Sequence, residues 1–286
     1  MSTIEIRNLS KSFGRVQALK NISITFEPEK IYGFLGRNGA GKTTLLNIVT
    51  NRLFPDQGEV WVDGELAVEN DRAQQKIFYM TEKTLHPDDM KVLDAIKLSN
   101  NFYPEFDLGY AYQLADAFEL TITKKISSLS TGYKSIFKMI LTLAANTPIM
   151  LFDEPVLGLD PNHREMFYKE LITCYSTNSQ TVVLSTHLIG EIADLLEEVI
   201  IIKNGEIIIA QPIDRVLQMA YTVSGAQENV DRYAAGKRII REESLGKYKA
   251  LTIYQEAGNL DKEALIRLGL EITPPRLQEL FVSLTN

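Results

Sequence analysis

Cysteine is almost missing from this chain of 286 residues: Cys174 stands alone. No intrachain disulfide can form, and a reducing compartment suits such a chain. The ordinary role for Cys174 is a small, semi-buried side chain. Only three histidines occur, His86, His163 and His187, and they are too scattered for metal-ligand spacing. A basic excess is missing too. Thirty Lys and Arg against thirty-seven Asp and Glu leave a formal charge of -7, which argues against the large basic footprint that nucleic acid requires. No stretch approaches the ~18 apolar residues of a membrane-spanning helix. "VIIIKNGEIIIA" is broken by Lys203, Asn204, Gly205 and Glu206 and reads as a β-hairpin with an Asn-Gly turn. The opening "MSTIEIRNLSKSFG" has no basic region followed by an apolar one, so no signal peptide is expected. Low-complexity tracts and internal repeats are absent from the sequence. The expectation is a cytosolic chain with no nucleic-acid partner and no direct membrane insertion.

What is present is a soluble composition, 45% apolar and 23% charged. The length allows a full core without covalent staples, in one large domain or two unequal ones. The first sixty-odd residues predict strands: Ile4 and Ile6 alternate with polar residues, as do Ile22, Ile24 and Phe26, and "GEVWVDG" lies between glycines. "KIYGFLG" is a continuous apolar run, as a buried strand should be, followed by a glycine-rich loop and a helix from about Lys42 to Thr50. From about Val92 to Asn146 the pattern is helical, with loops near Tyr103–Phe106 and Ser127–Thr131. Ile136, Ile140 and Leu143 recur there at helical spacing. "IMLFDEP", "TVVLSTH" and "EVIIIKNG" are further buried strands. Strands alternating with helices predict a mostly parallel sheet in an α/β layer fold. Beyond about Gln211 short strands ("YTVSG", "KRIIREES", "KALTIYQ") and short helices ("QENVDRYAAG", "DKEALIRLG") predict a small α+β appendage. It closes on the helix "PPRLQELFVSLTN", with Pro275 near its start.

"GRNGAGKTT", Gly36 to Thr44, fits the phosphate-loop pattern G-x-x-x-x-G-K-[ST] between an apolar strand and a helix. Its glycines let successive N–H groups turn inward, and the helix N-terminus adds its dipole, so phosphate oxygens find a ready nest. Lys42 is placed to reach the β- and γ-phosphates, and Thr43 to put its hydroxyl on Mg2+. "IMLFDEP" ends in two adjacent carboxylates. A buried strand closing on Asp153 and Glu154 bears a large desolvation cost unless they serve an ion or a reaction. Asp153 is the natural partner of the Mg2+ held by Thr43, and Glu154 is placed to polarise water, help typically worth about 10²–10⁴ in rate. At Ser130, a serine hydroxyl ahead of an apolar helix is a good N-cap. It is also a second set of anion donors.

Taken in order, Phe13, "GRNGAGKTT", "YMTEKT", "SLSTGYK", "IMLFDEP", "LGLDP" and "LSTHL" resemble the ATP-binding subunits of ABC transporters over residues 1 to about 210. The resemblance implies a P-loop ABC-type ATPase: an α/β cassette of residues 1–211 with a mostly parallel core sheet, an antiparallel β subdomain and a helical subdomain at about 92–146. A C-terminal accessory domain of 212–286 would follow. It implies ATP and Mg2+ as cofactors. Phe13 would stack on adenine. Gly36, Asn38, Gly39, Ala40, Gly41, Lys42, Thr43 and Thr44 would hold the phosphates. Thr43, Asp153 and Glu82 would face the metal. Glu154, His187 and Lys42 would act in catalysis, with His187 contacting the γ-phosphate. Ser130 and Gly132, from the signature "LSTGY", would face the ATP of a second chain, and Asp160 in "LGLDP" would communicate across that pair. Asp160 is equally a helix N-cap ahead of Pro161. His86 and His163 receive no role.

The sequence departs from the family's pattern at Glu82, where glutamine is usual, and at Thr131 and Tyr133 within the signature. Val156 and Leu157 also stand where small polar residues are commoner. The closing "RLQELFVSLTN" resembles the tail of bacterial ABC-2-type exporter ATPases, which include antibiotic and peptide exporters. The implied function is an ATP hydrolase that dimerises around ATP–Mg2+ and drives a separate integral membrane permease, with export of a drug, peptide or lipid-like substrate. Its implied location is the cytoplasmic face of the membrane, held there through the permease. The pair is either a homodimer or a heterodimer whose partner supplies the more regular signature. The alternative is a soluble ABC ATPase that works without a permease as a regulatory or assembly factor. A P-loop GTPase or kinase is disfavoured, because the sequence lacks an N/T-K-x-D guanine motif and "LSTGY" and "LSTHL" would be left unexplained.

Overall fold

A computed structural model describes residues 2–255 and 260–285. Two compact units divide the chain. Met1–His187 with Ile202–Ile208 form one, and Leu188–Ile201 with Ile209–Asn286 form the other.

The first unit opens with strands β1 (Ile4–Phe13), β2 (Val16–Phe26) and β3 (Ile31–Leu35) and helix α1 (Lys42–Val49). β4 (Gln57–Val62), β5 (Glu65–Leu66), α2 (Asp71–Gln74) and β6 (Ile77–Met80) follow. Next come α3 (Val92–Phe102), α4 (Leu108–Ala117), α5 (Thr131–Ala144), β7 (Ile149–Asp153), α6 (Pro161–Asn178) and β8 (Thr181–Ser185). An antiparallel sheet runs β2–β1–β4–β5. Its buried face follows from alternation: Ile4 lies opposite both Phe26 and Val62, and all three are buried. The short α2 has no apolar period to announce it. It forms because the Asn70 side chain accepts the N–H groups of Arg72 and Ala73.

Strands β3, β8, β7 and β6 are parallel neighbours in that order. Every residue of β3, β7 and β8 is buried. Parallel strands covered on both faces need such unbroken apolar runs. Their C-terminal ends share one edge of the sheet, so the segments after Leu35, Asp153 and Ser185 emerge side by side. Open α/β sheets bind ligands at that edge. Among the helices, α5 is buried at every position from Ser135 to Ala144 except Lys138, which is half-buried. A helix apolar on nearly all sides belongs inside the fold.

The second unit contains α7 (Ile189–Ile192), and the unit boundary passes through β9 (Glu198–Lys203) and β10 (Glu206–Pro212). The turn between these strands is Asn204–Gly205, with φ of 51° and 80°. Two positive φ values in a two-residue hairpin loop match the strand twist, and Asn-Gly tolerates them best. Further on lie α8 (Ile213–Leu217), β11 (Ala220–Ala226), α9 (Gln227–Ala234), β12 (Ile239–Leu245), β13 (Tyr248–Tyr254), α10 (Lys262–Leu268), β14 (Glu271–Thr273) and α11 (Leu277–Thr285). An antiparallel sheet ordered β12–β13–β11–β14 presents Tyr221, Val223, Leu251 and Ile253 to Val230, Tyr233 and Leu265 of the helices. The architecture is thus α/β, with a parallel core sheet, an antiparallel sheet, a helical segment and a small α+β part.

Candidate functional site

The loop after β3 owes its course to its glycines. A Cβ on Gly36 would lie 2.7 Å from Ile202 Cγ2 and 2.8 Å from the Ile202 carbonyl oxygen. Gly41 holds φ 115°, and a Cβ there would lie 2.7 Å from the Ala18 carbonyl oxygen. Gly41 is also the N-cap of α1 and offers no side chain to it. The first N–H groups of α1 are therefore left for an anion. Lys42 is buried and donates from Nζ to the Gly36 carbonyl at 2.6 Å. Burial pulls its pKa down, while Glu154 and Asp153 pull it up.

Asp153, at the end of β7, is also buried. Its Oδ2 accepts from Thr43 Oγ1 at 2.7 Å and from the Tyr79 hydroxyl at 3.2 Å, and its Oδ1 accepts from Ser185 Oγ at 2.8 Å. The next residue, Glu154, holds φ 51°. A non-glycine residue in the left-handed region carries backbone strain, which concentrates at functional sites. Its N–H donates to the Ser185 carbonyl at 2.7 Å. Its Oε2 accepts from Thr186 Oγ1 at 3.2 Å and lies 2.8 Å from His187 Nδ1. Asn38 to Thr44, Glu82, Asp153, Glu154 and His187 together line one cavity of about 360 Å³. Thr43 and Asp153 present hard oxygen donors to the same point. Among the described residues no three or more His, Cys, Asp and Glu cluster as a metal cage. That donor set fits Mg2+, which takes one or two carboxylates and completes its shell with water and phosphate oxygens.

Gly36, Phe13, Ser130, Gly132 and Asp160 do not line this cavity. Phe13 ends β1 half-exposed, with the Lys11 ammonium 5.7 Å from its ring centre. Ser130 caps α5, its Oγ accepting from the Tyr133 N–H at 3.3 Å. Gly132 is forced by a close approach: a Cβ there would lie 2.6 Å from the Gly158 carbonyl oxygen. Ser135 Oγ donates to the Leu157 carbonyl at 2.8 Å and holds the same loop to α5. Asp160 caps α6, with Oδ1 accepting from the His163 N–H at 3.0 Å and Oδ2 lying 2.6 Å from His163 Nδ1. Those bonds, the backbone one first, hold the Asp160 carboxyl below the usual carboxylate range. The His163 ring also stacks on Phe118 and meets Tyr133 edge-on. A histidine without a role in the sequence thus ties the signature tyrosine to the loop aspartate.

The sequence model of the ABC transporter family matches residues 19–157. The ABC transporter ATP-binding protein YtrB of Bacillus subtilis is 30% identical over 224 residues, covering 76% of this chain and 77% of YtrB. This chain belongs to the ABC transporter ATP-binding family. The lipopolysaccharide export system ATP-binding protein LptB of Haemophilus influenzae is also 30% identical, over 76% of this chain and 93% of LptB. Among solved structures, the dimeric bacterial ABC transporter cassette MJ0796 aligns with a TM-score of 0.66 at 25% identity, over 73% of this chain and 98% of that one.

As an ABC ATPase, the chain hydrolyses ATP. Three of its polar contacts escape motif reading. Tyr79 is the third residue of the strand "IFYM", where a lone hydroxyl in an apolar run is the only signal that it serves Asp153. Ser185 looks like one more small residue in an apolar strand, yet it is fully buried against Asp153. Lys138 lies inside the apolar run of α5 and donates from Nζ to the carbonyls of Thr81 and Glu82 at 2.8 and 2.6 Å. Burial pulls its pKa down to about 8 against the opposing pull of Glu82 and Asp153.

Proposed function

We propose that this ABC ATPase closes with a second chain around ATP–Mg2+, and that hydrolysis drives a separate membrane permease in the export of a drug, peptide or lipid-like substrate. The observation that carries the reading is the setting of Glu154. Its backbone is held in a strained conformation at the mouth of the phosphate loop, and Thr186 and His187 both reach its Oε2. Oε1 is then the oxygen that takes a proton from the attacking water, and His187 fixes the carboxylate's orientation. Lys42 turns from the Gly36 carbonyl to the β- and γ-phosphates. Thr43 and Asp153 would hold Mg2+, with Glu82 on the facing loop, and the bound ion would supply positive charge against the phosphate oxygens. Phe13 stacks on adenine, an interaction worth roughly 1–3 kcal/mol for any base. Ser130, Gly132 and Asp160, outside the cavity of their own chain, meet the second chain's nucleotide.

A permease partner is supported by a second cavity of about 670 Å³ beside the Glu82 loop, lined by Leu85, Leu98, Phe102 and Tyr103 among others. Leu85 and Phe102 are 62% and 64% exposed. Clustered apolar exposure of this kind marks an interaction surface, and an apolar permease segment fits it. Among the described residues no helix is long and apolar enough to cross a membrane. A permease partner would hold the chain on the cytoplasmic face. The export direction rests on the resemblance of the closing helix to exporter tails.

The Glu154→Gln variant tests the assignment. It should bind ATP, form a stable dimer with it and lose turnover by about 10²-fold or more. Hydrolysis at the unmodified rate would remove Glu154 from the mechanism. Purification from membranes should bring a multi-helix protein with the chain; recovery of the full-length chain free of any such protein would favour the permease-independent alternative.

A further inference from the structure

Lys138 belongs to the helix that Ser130 caps, yet it acts on the loop that carries Glu82. It follows Ser130 by eight residues, about 12 Å along the axis at 1.5 Å per residue. Around it Phe137, Met139, Ile140 and Leu141 are fully buried, so its backbone has little freedom. Its ammonium donates to two consecutive carbonyls, Thr81 at 2.8 Å and Glu82 at 2.6 Å. Thr81 Oγ1 in turn donates to the Lys83 carbonyl at 2.5 Å. The loop is thus closed on itself and tied to α5 by one cation. Both bonds of Lys138 end on main-chain carbonyls, and the Glu82 residue still forms part of the phosphate-loop cavity wall.

A half-buried ammonium in an otherwise apolar stretch of helix is costly to retain unless its bonds matter. We propose that Lys138 is a positioning residue for Glu82: it suspends the Glu82 loop from α5 and so sets where that carboxylate stands relative to Mg2+–ATP. This rests on the reading of Glu82 as a metal-facing residue. Without the tie the loop keeps its sequence and its carboxylate but loses its fixed place. Partners that orient a metal-facing group typically matter by about 10–100-fold in metal affinity.

The test is the gain in nucleotide affinity that Mg2+ provides. A fluorescent ATP analogue is titrated into the full chain with Mg2+ and, separately, with EDTA. Lys138→Met should cut the Mg2+ gain about tenfold and leave the EDTA affinity within about twofold, while Lys138→Arg, which keeps the donors, should restore most of it. Lys138→Gln, with one amide donor, serves if the Met variant does not fold, and should fall between. The decisive arm is the double variant with Glu82→Ala. If Lys138 acts through Glu82, its substitution has no further effect on the Mg2+ gain in that background. Equal losses in both backgrounds, or an unchanged Mg2+ gain in Lys138→Met, would overturn the proposal. An unchanged Mg2+ gain in Glu82→Ala alone would overturn the underlying reading of Glu82 instead.

Discussion

Gly132→Ala sets two known effects against each other. Alanine is the better helix former by ~1 kcal/mol, and Gly132 lies in the first turn of α5. Propensity by itself predicts a gain in stability. Its new Cβ, however, would lie 2.6 Å from the Gly158 carbonyl oxygen, where ordinary contact begins at 3.4 Å. Helix and loop would have to part by roughly 0.8 Å, the difference of those two distances. The loop cannot yield freely. Val156 and Leu159 are buried, Ser135 holds the Leu157 carbonyl, and Gly158 holds φ 77° with Thr131 Cγ2 close to it. Forcing a methyl into such a contact costs ~1–3 kcal/mol, so the net change is a destabilisation of ~1 kcal/mol. The displaced atoms lie between Ser130 and Asp160, on the face proposed to meet the second chain. If the pair is a homodimer and each copy loses ~1 kcal/mol of contact, dimer affinity falls about thirtyfold. Urea denaturation reads the first effect. Sedimentation with ATP, in a Glu154→Gln background, reads the second. A variant that gains ~1 kcal/mol and dimerises normally would refute both the close approach and its place at the interface.

Ser185→Ala removes the donor to Asp153 Oδ1 in a fully buried setting. A loss of ~1.5–3 kcal/mol in stability is expected, as for a hydrogen bond to a charged group, together with weaker Mg2+-dependent nucleotide binding; an unchanged denaturation midpoint would contradict it. Asp63 offers a pH test: burial raises its pKa, but the Lys76 ammonium, the Thr3 N–H and the Ser2 hydroxyl outweigh that and leave it lowered. A depressed carboxylate pKa contributes stability above its unfolded value near 3.9, and that stability is lost as pH falls through the folded value. Asp63→Asn should therefore cost roughly 1 kcal/mol at pH 7 and progressively less in acid; an equal cost at pH 7 and below pH 3 would show that charge is not the cause.

Much of the fold was legible because its signals are local. Unbroken apolar runs marked β3, β7 and β8, since a strand buried on both faces leaves no room for polar positions. Ser130 and Asp160 were legible as caps because capping involves only the next three residues. The positions of Ile136, Ile140 and Leu143 within α5 followed from helical spacing, and all three are buried. What stayed hidden depends on residues far apart in the chain. Lys138 reads as an intruder in an apolar helix until the loop 56 residues earlier is set beside it. His163 received no role from the sequence, and its contact with Tyr133 needs α5 and α6 to be brought together.

The phosphate loop and the chain's α/β class are properties of the sequence by itself. A glycine-rich turn between a strand and a helix points its N–H groups inward whatever surrounds it, and alternating strand and helix periods admit few layer arrangements. Only the tertiary structure decided how Asp153 is satisfied, by Thr43, Tyr79 and Ser185 drawn from three different elements. It also decided why position 132 must be glycine, since the obstacle is the carbonyl of Gly158, 26 residues away. The reason is the same in both cases. A buried charge and a steric contact are defined by what stands within a few ångströms, and the fold brings those neighbours from strands, helices and loops that are distant in sequence.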